Sequence, residues 1–184
     1  MPTIRLVELH PIIVHFPIAL LIVGVLLDFL ALFLRRAHLI EAASWCLGFG
    51  TLGLLAAELS GQLIEDHVNK AQTAGLLGLH KTMALMTVIT FVTLFVVRIL
   101  WFSPRILSYF SSTLPLASRA ANYIKTNLPM IGRNTRAPVT LYLLLSVGGL
   151  VLLAITGYLG GAMVYDHGVG TPSGIIPILS AMPY

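Results

Sequence analysis

Apolar residues in this chain neither alternate nor keep to one helical stripe. They run in four unbroken blocks at about 11–34, 42–64, 76–102 and 139–164. Each block is near or above the roughly 20 residues a helix needs to cross a bilayer. Their spacing predicts an all-α integral membrane protein, a four-transmembrane-helix up-down bundle. Residues 1–184 are read as a single membrane domain, with an interfacial connection over 103–138 and a C-terminal tail over 165–184. After His167 the tail reads Gly168-Val169-Gly170-Thr171-Pro172-Ser173-Gly174, too short and too interrupted by proline to span again.

Composition narrows the class. Hydrophobic residues make up 57% of the chain and charged ones 10%, with a mean hydropathy of +0.92, more apolar surface than a soluble core has use for. The one cysteine, Cys46, lies inside an apolar block and reads as a packing residue. It excludes a disulfide framework, a Cys-x-x-Cys redox pair and a covalently attached c-type haem. The first block is too long for a secretory signal and no small-residue cleavage site follows it, so it reads as an uncleaved anchor.

The formal charge of +4 follows topology rather than a nucleic-acid groove. Arg35-Arg36 lies between the first two blocks, and Arg105, Arg119, Lys125, Arg133 and Arg136 lie between the last two. Arg98 is placed to snorkel from the end of the third. Positive residues favour the cytoplasmic side, which puts both termini in the periplasm of a bacterial inner membrane. The 103–137 stretch mixes these cations with Tyr109, Phe110 and Tyr123, and Trp101 and Phe102 stand just before it, as expected for a segment at the inner interface or a docking surface for another subunit.

That topology gathers five of the six histidines at one face. His10 and His15 open the first helix, His67 closes the second, His80 opens the third and His167 closes the fourth; His38 is left at the other side. With Pro11 read as the first helical residue, His15 and His80 form a deeper pair and His10 and His167 a shallower one. Ionisable groups at membrane depth are expensive and default to functional candidates. Facing imidazoles in a bundle can ligate a haem axially. The deep pair is therefore expected to hold haem iron, and the shallow pair a second haem or the propionates of the first.

The surroundings suit a flat ring. Ala84, Thr87 and Phe91 share a helix face with His80. Gly53, Ala57 and Gly61, and again Gly157 and Gly161, are spaced to admit close helix packing or a ring against bare backbone. Zinc or copper could use the same histidines, though no H-x-x-x-H spacing preassembles a site. Glu58, Gln62 and Glu65 line one face and Asp28 stands alone in the first block; a proton path, a quinone-edge acid and structural carboxyls are all open readings. No nucleophile elbow, phosphate loop or dinucleotide fingerprint is present.

Leu9-His10-Pro11, Val14-His15-Phe16-Pro17-Ile18-Ala19-Leu20, His80, and the run Gly160-Gly161-Ala162-Met163-Val164-Tyr165-Asp166-His167-Gly168-Val169-Gly170 resemble the bacterial membrane-protein family known as domain of unknown function 2231. This chain differs in carrying Ala162-Met163 where that family often has a Glu-Leu pair, and in its long third connection, which fits a partner-binding insertion. The resemblance implies a four-helix membrane domain with motif histidines His10, His15, His80 and His167. Relatives fused to cytochrome-c-like modules imply an electron-transfer setting.

The expectation is a b-type cytochrome subunit with one or two bis-His haem b groups near the periplasmic face. It would be an electron-transfer subunit rather than a stand-alone enzyme, within a respiratory or photosynthetic complex. Its expected partners are the lipid bilayer, other membrane subunits and a periplasmic cytochrome c, with quinone as a further candidate ligand and no nucleic acid. The alternative is a non-catalytic scaffold or assembly subunit. A metal transporter is a third reading.

Overall fold

The computed structural model describes residues 6–68, 73, 75–102 and 136–169. Four long helices account for nearly all of them: α1 (Leu6–Leu34), α2 (Ala37–Ile64), α3 (Leu76–Phe102) and α4 (Arg136–Tyr165). A single 3-10 turn, Glu65–His67, follows α2. All four helices are long and apolar enough to cross a membrane, and no strand occurs among the described residues. The expected interfacial stretch and the tail beyond Val169 lie outside the described residues.

The helices pair unequally. α1 lies along the whole of α2 and α3 along α4, while α2 meets α3 and α1 only brushes α4. The molecule is thus two helical hairpins set side by side, with α1 and α3 on one diagonal. Small residues explain the intimacy of the first hairpin. A Cβ at Gly24 would stand 3.0 Å from Leu47, and one at Gly53 would stand 3.1 Å from Pro17. Pro17 cannot donate to the carbonyl four residues back and its ring crowds that turn, yet it is fully buried against Gly53.

Leu21, Val25, Leu47, Leu54, Val88, Phe91, Leu94, Tyr142 and Leu153 interlock along the bundle axis. Large apolar side chains such as Phe33, Leu63, Leu85, Leu141 and Tyr158 point outward, which in water would be untenable and against lipid is the expected arrangement.

Arg98 departs from the sequence reading. Instead of snorkelling to an interface it is buried, and its guanidinium is ion-paired with Asp28 across the α1–α3 diagonal. Its Nε donates to Ser44 Oγ at 3.0 Å and its Nη2 to the Ile40 carbonyl at 2.7 Å. Tyr142 completes the cluster, accepting from Arg98 Nη1 at 3.1 Å and donating to Asp28 Oδ2 at 2.9 Å. One residue or more from each of the four helices is engaged. A charge in low dielectric is tolerable only when paired and hydrogen-bonded, and here every guanidinium nitrogen has an acceptor.

Candidate functional site

At the opposite end of the bundle from Arg98 the helices stand apart and enclose a cavity of about 440 Å³. Its walls include His10, His15, Glu58, Gln62, His80 and Lys81. The volume lies within the roughly 300–1,000 Å³ typical of small-molecule and cofactor sites.

His10 comes from α1 and turns toward α2. Its Nδ1 lies 2.8 Å from Ser60 Oγ. The Ser60 hydroxyl donates its own proton to the Ala57 carbonyl at 2.7 Å, so the shared proton on the other bond belongs to the imidazole. His80 comes from α3 and turns toward α4, where its Nδ1 lies 3.1 Å from the Thr156 carbonyl, which can only accept. In both residues Nδ1 carries the proton and Nε2 keeps a free lone pair. This is the tautomer a metal-ligating histidine adopts when its other nitrogen is tied to a neighbouring acceptor.

Glycine makes room for each ring. A Cβ at Gly61 would stand 3.2 Å from His10 Cε1, and one at Gly160 would stand 3.2 Å from His80 Cε1. The two hairpins therefore present the same device twice. In each, a histidine on the first helix is anchored through Nδ1 to the second and lies over a glycine of it. His10, His80 and Glu58 all border the same cavity.

His10, and not His15, repeats the anchoring of His80 to a neighbouring helix. α1 is already helical at Leu6, so Pro11 is an interior residue and not the helix start. His10 follows Leu6 by four positions, as His80 follows Leu76. His15 lies further along the same helix with an exposed ring at the cavity edge, its Nδ1 bonded to the Pro11 carbonyl. Both His15 and His80 border the cavity.

His167 is half-buried in the turn after α4 and is not part of the cavity wall. Gly168 there adopts the left-handed region (φ 66) that only glycine enters freely. The reversal lets Val169 N–H reach the Met163 carbonyl at 2.9 Å and brings Val169 onto the wall. His38 is exposed near the start of α2, at the arginine end.

The remaining wall sorts by polarity. Leu54, Val88 and Leu153 close its floor. Ala84 and Thr87 line the face below His80, with Phe91 fully buried beyond them. Gly157 and Gly161 also border the cavity, and neither would bring a Cβ within 3.5 Å of another helix. They are open wall; close packing of α4 falls instead to Gly149, against Phe91 and Thr90, and Gly160. The rim is polar: Gln62 donates to Glu58 at 3.2 Å, and Lys81 pairs with Glu65 at 2.6 Å.

Among the described residues no three His, Cys, Asp or Glu side chains converge as a metal ion would require. What converges is two neutral imidazoles from diagonal helices, over an apolar floor. That is too few donors for a structural zinc site.

These features define a four-helix membrane protein with an imidazole-lined cavity at one end. The family model for the predicted membrane proteins DUF2231 matches residues 7–173, and the chain belongs to that family. No curated protein and no solved structure matches it.

Proposed function

We propose that the cavity seats one haem b between His10 and His80, and that the chain is the membrane electron-carrying subunit of a bacterial inner-membrane complex. One observation carries this reading. Two imidazoles on opposite helices have Nδ1 committed to a neighbouring helix and a free Nε2, and both border a single cofactor-sized cavity.

A haem bound there would accept and release single electrons. The residues of the chain supply the rest. Ser60 and the Thr156 carbonyl hold the two rings in one tautomer and orientation, which raises their basicity as ligands. Leu54, Val88 and Leu153 keep water from the floor. Gly157 and Gly161 leave bare backbone where a flat ring can lie. Lys81 stands at the rim, paired with Glu65.

A single haem is favoured over two because His15 borders the same cavity and His167 lies outside its wall. The positive residues Arg35 and Arg36 at the other end support an orientation with the histidine end, and both termini, in the periplasm. A periplasmic cytochrome c is then the natural exchange partner, with other membrane subunits or the quinone pool as the second.

A reduced-minus-oxidised absorption spectrum of protein purified from haem-replete cells tests the proposal. Bands of a six-coordinate b-type haem are expected, lost in His10→Ala and in His80→Ala and kept in His15→Ala and His167→Ala. Absence of bands in the unaltered protein overturns the haem reading. Bands that survive both His10→Ala and His80→Ala overturn the ligand pair.

A further inference from the structure

A second cavity, of about 320 Å³, opens at the arginine end of the bundle. Its walls are mostly aliphatic, with Ala31, Leu32, Ile40, Val139 and Leu143 among them. It is bordered by Arg35 and Arg36, by the buried Asp28–Arg98 pair and by Tyr142. Its position is the edge of the apolar spans, which end at Leu34 on α1 and begin at Val139 on α4.

Charge at this cavity is unbalanced. Asp28 and Arg98 neutralise one another. Arg35 and Arg36 are exposed, and neither is ion-paired with an acid among the described residues. Two positive charges therefore stand over an aliphatic recess at the depth of lipid headgroups.

The backbone of Arg35 is the second sign. It adopts the left-handed region (φ 54), and no other described residue but glycine does so. Helix ends of this shape, here closed by Arg36 N–H on the Ala31 carbonyl at 3.2 Å, usually place glycine at that position. A long cationic side chain is unusual there, and outliers of this kind concentrate at ligand sites. Both Arg35 and Arg36 border the recess.

We propose that this cavity binds an anionic phospholipid, with the phosphodiester held by Arg35 and Arg36 and an acyl chain in the aliphatic recess. Guanidinium groups suit phosphate oxygens through paired hydrogen bonds. The apolar wall favours a lipid over free phosphate, which would leave the recess empty. The site is independent of the haem reading and stands or falls apart from it.

Native mass spectrometry of detergent-solubilised full-length protein, with phosphatidylglycerol or phosphatidylcholine added at equal concentration, tests it. The unaltered protein should retain phosphatidylglycerol several-fold more than phosphatidylcholine. Arg35→Gln combined with Arg36→Gln should bring that ratio near one without changing the melting temperature, since both side chains are exposed. Val139→Trp, which fills the recess and leaves the arginines in place, should lower phosphatidylglycerol retention. An unchanged lipid ratio in the double variant overturns the site, as does the absence of any preference in the unaltered protein. Complete displacement of the lipid by millimolar inorganic phosphate overturns the choice of a lipid as ligand.

Discussion

Asp28 and Arg98 form an ion pair across the long diagonal of the bundle, from α1 to α3, with Tyr142 of α4 bonded to both. The two helices on that diagonal do not pack closely by backbone, so long polar side chains make the connection. Removing one member leaves the other charged and buried. Arg98→Met should destabilise the bundle by about 3–5 kcal/mol, read as a fall in denaturant midpoint in detergent. Combining it with Asp28→Leu should recover most of that loss. Equal damage from the single and double variants would mean that the pair contributes shape rather than charge balance.

Tyr142→Phe keeps the ring over the guanidinium, 5.9 Å from its centroid to Cζ, and deletes one acceptor and one donor. About 1 kcal/mol of destabilisation is expected. The same unfolding assay reads it. A loss as large as that of Arg98→Met would show that the hydroxyl, and not the ion pair alone, holds the diagonal together.

Among the described residues Ser60 is the only side-chain acceptor that fixes either imidazole, because His80 is held by a backbone carbonyl. Ser60→Ala should free the His10 ring and weaken haem retention about 10–100-fold, with Ser60→Thr restoring it. Haem content after gel filtration in excess apo-myoglobin gives the measurement.

The glycines facing the cavity should divide into two groups. Gly160→Ala places a Cβ 3.2 Å from His80 Cε1, so the ring must shift and haem retention should fall about tenfold. Gly157→Ala meets nothing within 4 Å and should leave the melting temperature of the haem-free protein unchanged. Similar effects of the two substitutions on His80 would show that the close approach is not what matters.

Thr51 is buried, and its hydroxyl has no hydrogen-bond partner among the described residues. Thr51→Val swaps that hydroxyl for a methyl of the same shape and should stabilise the bundle by about 1 kcal/mol. A loss of stability instead would point to a bound water that the hydroxyl holds.

Membrane class, helix number and the clustering of histidines at one end are legible in the chain because each rests on block length or on position relative to a helix end. The pairing of those histidines is not. It turns on whether Pro11 opens α1 or lies within it, and a membrane helix tolerates interior proline more readily than a soluble one. Moving the start back to Leu6 puts His10 about one turn into α1, as His80 is in α3. The burial of Arg98 is hidden for a related reason. A lone arginine near a helix end snorkels by default, and what holds it inside is a carboxylate 70 positions away. A signal does exist: Asp28 and Arg98 are opposite charges set deep in separate apolar blocks, near the same end of the bundle. Gly53 of α2 meets Pro17 of the next helix and Gly61 meets the His10 ring, a division that spacing alone leaves open, and the glycines of α4 could not be divided into packed and open positions without the neighbouring helix.

Each hairpin is closely knit internally, and polar ties cross from one to the other at both ends, Asp28 to Arg98 at one and Glu65 to Lys81 at the other. Anything gripped by His10 and His80 together adds a third strap between the hairpins, and the separation of α1 from α3 at the histidine end would report whether the seat is taken.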